Sequence, residues 1–188
     1  MKVRILHALL TLLTAMTLQA ETKPASKTQL ATFGGGCFWC TEAVLERVPG
    51  VLTAVSGYAG GTVANPTYQD VCTFDPAVVG YEKILEVFFE AHDPTSLNRQ
   101  GADEGTQYRS VILYHDEAQH AAAGRAKAAA QAHYADPIVT EIVPLTKFYP
   151  AEKYHQDYFK NNPGQGYCSF VIRPKVKKLQ SKSVISKD

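Results

Sequence analysis

The stretch GGGCFWC, residues 34–40, decides how the first part of this chain is organised. It follows a short apolar run, 30–33, which predicts a buried strand, and it precedes 41–47, where apolar residues on one face predict a helix. A thiol at the start of a helix meets unpaired backbone N–H groups, which favour the reactive thiolate. We therefore interpret Cys37 as a candidate nucleophile, with the neighbouring aromatic side chains as walls of a small apolar pocket.

The remaining cysteines leave two kinds of chemistry open. Cys40 forms a C-x-x-C pair with Cys37, and Cys72 and Cys168 follow at distant positions. Thiol–disulfide oxidoreductases use the same C-x-x-C spacing, so the pair alone does not distinguish that activity from another thiol reaction. A zinc site is disfavoured, because no second C-x-x-C or C-x-x-H pair completes a tetrahedral set. We expect no metal.

Outside this stretch, predicted strands and helices are mixed without internal repeats. Asp116 is predicted to cap the longest helix, and the chain through Cys168 is predicted to be irregular. The predicted elements are strands at 51–58, 111–114 and 138–143, a turn at 65–68, a polar loop at 98–108, and helices at 81–91, 116–133 and 151–159. This mixture predicts a single α/β or α+β domain.

Composition and the first residues restrict the possible functions further. The chain has 188 residues and a net charge of +1, so it lacks the basic surface of a nucleic-acid-binding protein. Residues 1–20 have the basic start, apolar run and small final residue of a signal peptide, and 21–29 read as a linker. The apolar run is short and interrupted by threonines, so no stable membrane insertion is expected. We predict a periplasmic or secreted protein.

The chain resembles the A type of peptide methionine sulfoxide reductase (the MsrA family). The motifs that carry the resemblance occur in the family's order, at 35–39 (GGCFW), 57–61 (GYAGG), 65–68 (NPTY), 71–72 (VC), 92–95 (HDPT), 98–101 (NRQG), 105–110 (GTQYRS) and 148–152 (FYPAE). The resemblance implies a ferredoxin-like split βαβ domain over 30–180, followed by a tail at 181–188. It also implies reduction of the S epimer of methionine sulfoxide, both in proteins and free.

The resemblance also implies roles for single residues. Cys37 corresponds to the nucleophile, and Phe38 and Trp39 to the residues that hold the substrate methyl group. Tyr68 and Tyr108 correspond to hydrogen-bond donors to the sulfoxide oxygen, and Asp103 to a residue that orders this site through water. Cys40 or Cys168 would resolve the sulfenic acid as a disulfide, which an external thioredoxin-like donor reduces. No cofactor is implied, and we expect a monomer.

The chain departs from the family pattern after Cys72. A G-x-T-G-H-A-E segment and the β-rich run that follows it in the family are absent, and Phe74-Asp75-Pro76 comes almost at once. The missing glutamate is the family's proton donor, and the missing run is a strand of the central sheet. We therefore expect a sheet that lacks one central strand and an activity that is weakened, or lost in a non-catalytic member. Glu42, Asp103 and Glu104 are candidates to replace the acid.

Overall fold

The computed structural model of this chain describes residues 27–59 and 67–187. These residues form eight strands, which are β1 (Gln29–Gly35), β2 (Val51–Ala59), β3 (Thr67–Phe74), β4 (Arg99–Gln100), β5 (Asp103–Glu104), β6 (Ser110–Tyr114), β7 (Glu141–Pro144) and β8 (Phe148–Pro150). They also form five α-helices, which are α1 (Phe38–Leu45), α2 (Tyr81–Ala91), α3 (Glu117–Ala130), α4 (Tyr158–Asn161) and α5 (Arg173–Ser181). The predicted signal peptide, most of the predicted linker, and residues 65 and 66 of the predicted turn lie outside the described residues.

Six of these strands form one sheet in the order β7-β6-β1-β3-β2-β8, and β4 pairs with β5 separately. Neighbouring strands in the large sheet are antiparallel, except that β6 and β7 run parallel. Helices α1 and α2 both contact β1 and contact each other, so they lie on one face of the sheet. The mixed α/β class predicted from the sequence is confirmed.

The helices form where the sequence carries a continuous apolar stripe. In α2, Ile84 and Leu85 are fully buried, and Phe88 stacks on Phe33 of β1 with ring centroids 5.0 Å apart. The predicted cap of the longest helix is confirmed, because the Asp116 carboxylate accepts a hydrogen bond from Gln119 N in the first turn of α3. No helix within 27–59 and 67–187 combines the length and apolar character needed to cross a membrane.

The expected loss of a central strand is not confirmed. Strand β3 lies between β1 and β2 and pairs with both over most of its length. Tyr68, Asp70, Cys72 and Phe74 alternate along β3, and Phe33 lies opposite Asp70 on the face that packs against the helices. A carboxylate interrupts this otherwise apolar face, which is why the alternation does not predict a strand. The predicted turn therefore gives way to a strand from residue 67 onward.

The C-terminal part differs most from the sequence-based expectation. The helix predicted for 151–159 is reduced to a 3₁₀ turn at Lys153–His155 and the short α4. Residues 162–165 are irregular as predicted, but the chain is helical from residue 166, two residues before the predicted irregular segment ends, and a π-helical turn at Cys168–Ile172 runs directly into α5. Pro174 lies in the first turn of α5, where this helix joins the π-helical turn. Beyond α5, Ile185 is buried and Ser186 N donates to Arg47 O at 2.9 Å, so the predicted tail packs on the domain.

Candidate active site

Cys37 lies at the junction between β1 and α1. Its backbone is extended, with φ of −66° and ψ of 125°, and its carbonyl accepts hydrogen bonds from Cys40 N at 2.9 Å and Thr41 N at 3.3 Å. Gly36 makes the turn with φ of 96°, and a Cβ added there would lie 2.6 Å from Gln100 Cγ. Only glycine fits this position, and the turn leaves the thiol at the positive end of α1.

The Cys37 and Cys40 side chains share one hydrogen bond. The S–H of Cys37 donates to the sulfur of Cys40 and lowers the pKa of Cys40 to about 7, against the effect of burial and with help from the positive charge of Lys175. The same hydrogen bond, followed by burial, raises the pKa of Cys37. The pair therefore loses one proton near neutrality and retains the second. Transfer of the retained proton to Cys40 leaves a thiolate on Cys37, at the helix N-terminus.

Two groups of aromatic rings flank the thiol pair. We call Phe38, Tyr68 and Tyr108 the Phe38 wall, in which Phe38 stacks on Tyr68 at 4.3 Å between centroids and Tyr108 meets Tyr68 edge-on at 5.4 Å. The Trp39 wall consists of Trp39, Tyr158 and Tyr167. Sequence reasoning identified the two aromatic residues that follow Cys37 and the two tyrosines of the Phe38 wall, and the structure brings these four aromatic residues together.

In the Trp39 wall, Trp39 stacks on Tyr158 at 3.6 Å and meets Tyr167 edge-on at 6.1 Å. Trp39 Nε1 donates to His155 Nδ1 at 3.1 Å, which leaves the ring hydrogen of neutral His155 on Nε2. Sequence reasoning missed Tyr158 and Tyr167. Tyr167 precedes Cys168 in the chain, and that adjacency is the one signal that could have identified it.

The three acids that the sequence offered as replacements for the missing glutamate have different surroundings. Asp103 is connected to the thiol pair through Tyr167, whose hydroxyl donates to Asp103 Oδ2 at 2.6 Å. Glu104 is exposed and pairs with Arg99 at 3.1 Å. Glu42 is buried, accepts from Tyr158 N at 3.4 Å, and has its pKa raised by burial. Of these three acids, Asp103 is the one whose hydrogen-bond partner, Tyr167, contacts a thiol of the pair.

Asp70 is a second buried acid, on the strand that carries Tyr68. It is fully buried and accepts from Ser56 Oγ at 2.9 Å, while its Oδ2 has no hydrogen-bond partner among the described residues. Burial raises its pKa well above the ordinary value, and the negative charge of Glu42 adds to the effect. The folded chain therefore favours the protonated form of Asp70, which lies beneath the site rather than in it.

The other two cysteines are buried thiols in different surroundings. Cys168 is fully buried in the π-helical turn, and burial followed by the charge of Cys40 raises its pKa. Cys72 is fully buried in the middle of the sheet, opposite Ala31 and Ala54, and burial raises its pKa to about 12. Cys168 is therefore electrostatically coupled to the thiol pair, whereas Cys72 is enclosed by the strands. In the described part of the chain, no group of three or more His, Cys, Asp or Glu side chains is arranged to hold a metal.

Comparison with known proteins identifies one family. The model of the family described as peptide methionine sulfoxide reductase matches residues 29–188. A peptide methionine sulfoxide reductase MsrA of Haloquadratum walsbyi is 51% identical over 81% of this chain and 94% of its own length. The crystal structure of reduced Mxr1 from Saccharomyces cerevisiae superposes with a TM-score of 0.71 and 31% identity, over 78% of this chain and 91% of that one. Mxr1 in complex with Trx2 superposes with a TM-score of 0.56 and 26% identity, over 75% and 91% of the two chains.

Proposed function

Since this chain belongs to the peptide methionine sulfoxide reductase family and reduces methionine sulfoxide with thiols, we propose that Cys37 is its nucleophile. The observation that carries the proposal is the position of this thiol, at the start of α1, hydrogen-bonded to Cys40 and flanked by two aromatic walls. The Cys37 thiolate attacks the sulfoxide sulfur, and the sulfoxide oxygen passes to Cys37. Methionine leaves, and Cys37 remains as a sulfenic acid.

The two walls supply different contacts to the substrate. Phe38 and Trp39 hold the methyl group, and the hydroxyls of Tyr68 and Tyr108 donate to the sulfoxide oxygen. Burial raises the pKa of Tyr68 and of Tyr108, so both keep their hydrogens at pH 7 and remain donors. A site that fixes the methyl group, the oxygen and the line of attack distinguishes the two sulfoxide epimers, and we propose that it accepts the S epimer.

Proton supply to the sulfoxide oxygen is the step in which this chain differs from its family. Asp103 is the carboxylate linked to the thiol pair, and its charge acts on both Tyr68 and Tyr108. We propose that Asp103 maintains this group of hydroxyls and water in place of the missing glutamate. A positioned general acid contributes about 10²–10⁴-fold in rate, so we expect slower turnover than in relatives that carry the glutamate. Turnover unchanged by insertion of the missing segment would contradict this expectation.

We propose that Cys40 resolves the sulfenic acid on Cys37 before Cys168 takes part. Cys40 already contacts Cys37, whereas Cys168 is fully buried and coupled to Cys40. The Cys40 thiol attacks the Cys37 sulfur, and a disulfide and one water are formed. Cys168 then exchanges into this disulfide or substitutes for Cys40 when it is absent.

The reductant of the resulting disulfide is proposed to be a thioredoxin-like dithiol protein. The support is the solved complex of Mxr1 with Trx2, in which a relative of this chain binds such a donor. The proposed substrates are oxidised methionine residues in proteins and free methionine sulfoxide, and the proposed state is a monomer.

We also propose a ferredoxin-like core for the domain. It is supported by the succession β1-α1-β2-β3-α2-β6 and by the order β6-β1-β3-β2 within the sheet. In this interpretation, β3 takes the place of the strand that the shortened sequence was expected to lack. Export to the periplasm or the medium, with removal of residues 1–20, rests on the signal-peptide pattern alone. Amino-terminal sequencing of the exported chain tests it.

Single-turnover reduction of a peptide methionine sulfoxide tests the proposed function. The wild-type chain should release one equivalent of methionine from the S epimer and none from the R epimer. Cys37→Ser should release none, while Cys40→Ser should still release one equivalent. Cys72→Ala is the matched control, because it removes a thiol that the sheet encloses. Methionine release by a folded Cys37→Ser variant would refute the assignment of the nucleophile.

The alternative activity, thiol–disulfide exchange through the C-x-x-C pair, is not favoured by the family assignment. Insulin reduction by the chain with dithiothreitol measures it directly. We expect no rate above that of dithiothreitol alone.

A further inference from the structure

Tyr167 lies between the second thiol of the pair and a carboxylate. Its hydroxyl oxygen is 2.6 Å from Asp103 Oδ2 and 3.9 Å from Cys40 Sγ. The tyrosine comes from the helical segment after Gly166, the thiol from α1, and the carboxylate from β5, so only the tertiary structure joins them. The functions proposed above give Tyr167 no chemical role.

The chemistry of the three groups sets the direction of both hydrogen bonds. A carboxylate can only accept, so the Tyr167 hydrogen is donated to Asp103. The lone pairs of the tyrosine oxygen then accept the S–H of Cys40. Trp39 meets the Tyr167 ring edge-on at 6.1 Å and holds its orientation. The result is a continuous path for a proton from Cys40 to Asp103.

We propose that Tyr167 and Asp103 relay the proton away from Cys40 while it closes the disulfide with Cys37, an inference that rests on the proposed function. Cys40 Sγ attacks the sulfur of the Cys37 sulfenic acid, and its proton moves to Tyr167 as the tyrosine hydrogen moves to Asp103. The bond between the Cys37 sulfur and its hydroxyl oxygen breaks, and the leaving hydroxide takes a proton from solvent to become water. Asp103 then releases its proton to solvent, so the step forms one disulfide and one water with no net gain or loss of protons.

The relay meets a need that arises only after Cys37 has been oxidised. In the reduced pair, the S–H of Cys37 stabilises a thiolate on Cys40. Conversion of Cys37 to a sulfenic acid removes that S–H. The burial that raises the pKa of Cys40 remains, and so does the smaller effect of the Lys175 charge, which lowers it. Cys40 is only 3% exposed, so bulk water does not reach it readily as a base. Tyr167 is the hydroxyl that contacts its sulfur.

Tyr167→Phe in a Cys168→Ser background tests the relay, because Cys40 is then the resolving thiol available to Cys37. Rapid quenching measures methionine release, trapping with dimedone measures the sulfenic acid, and mass spectrometry of alkylated protein measures the disulfide. Disulfide closure should slow by about 10²-fold at pH 7 relative to methionine release measured in the same variant, and sulfenic acid should accumulate. Tyr114→Phe is the matched control, because it removes a half-buried tyrosine hydroxyl at the far end of β6.

The pH dependence separates proton transfer from a purely structural role. The rate of closure in Tyr167→Phe should rise about tenfold per pH unit, as hydroxide ionises Cys40 directly, and approach the background rate at high pH. Asp103→Asn should show the same pH-dependent loss in the closure step, and the double variant should lose no more than either single one. Closure at the background rate in Tyr167→Phe, or a loss equal at all pH values, would overturn the relay. Failure of the background chain to release methionine would instead refute the proposed function.

Discussion

Replacement of His92 should change how the stability of this protein depends on pH. His92 is buried directly behind the turn that presents Cys37, and a Cβ added at Gly35 would lie 3.2 Å from its ring. Nδ1 is 2.7 Å from Phe88 O and therefore carries the hydrogen of the neutral ring. Nε2 then accepts from Ser110 Oγ, also at 2.7 Å. Protonation of the ring would require the Ser110 hydroxyl to reverse and donate to Thr140 Oγ1 at 2.7 Å, and it would place a positive charge in the core.

The size of the change in stability follows from the lowered pKa of His92. Burial lowers the pKa of His92 from 6.5 to about 4. At pH values between these two pKa values, the unfolded chain binds a proton that the folded chain does not bind. The free energy of unfolding therefore decreases as the pH falls. Two and a half pH units at about 1.36 kcal/mol each give a total of about 3.4 kcal/mol, of which about 2 kcal/mol is lost between pH 7 and pH 5.

Urea unfolding of the wild-type chain and of His92→Gln at pH 5, 6 and 7 measures this contribution. The amide can donate to Phe88 O and accept from Ser110, so the variant keeps polar partners but does not titrate. The variant should be less stable at pH 7, and the difference between the two chains should shrink by about 2 kcal/mol on going to pH 5. His120→Gln, which removes an exposed histidine from α3, is the control for loss of a histidine outside the core. A difference between wild type and His92→Gln that is constant from pH 7 to pH 5 would refute the reasoning.

Two further predictions concern the Phe38 wall and the strand beneath it. Tyr68→Phe should lower the rate of methionine release about 10²-fold in single turnovers, the effect of removing one donor to a developing negative oxygen, and a loss confined to KM would contradict this role. Asp70→Asn should remove a pH dependence of the opposite sign to that of His92. Because the pKa of Asp70 is raised in the folded state, wild-type stability falls by up to about 1.36 kcal/mol per unit as pH rises above the ordinary value of 3.8. Urea unfolding at pH 5 and 6 should show that the stability of the wild type falls relative to that of the variant as the pH rises, and an unchanged difference between the two chains would contradict this.

Local signals explain why some of the site could be predicted. The glycines before Cys37, the apolar stripe of α2 and the cap at Asp116 act over a few residues, and the structure confirms the elements that they predict. Phe38 and Trp39 lie beside Cys37 because they follow it directly in the chain. The resemblance to a family identified Tyr68 and Tyr108, because an isolated tyrosine carries no comparable signal.

Long-range pairing explains what could not be predicted. Strand β3 contains a carboxylate on its buried face, which breaks the alternation of apolar residues, and it forms because β1 and β2 offer two open edges. The helix after Gly166 follows a glycine-rich segment with little helical preference, and it is stabilised by burial of Cys168 and Ile172 against the core. Local preference gives way to tertiary contacts in both places.

The sequence by itself determined the thiol pair, the helix that begins beside it and the family, because each depends on residues that are neighbours or occur in a fixed order. The tertiary structure alone decided which acid faces the thiol pair. Asp103 reaches Cys40 through Tyr167, across 64 positions of the chain between the acid and the tyrosine. The physical reason is that hydrogen bonds require distances of about 3 Å between groups, and only the packing of β5, α1 and the C-terminal helix creates those distances.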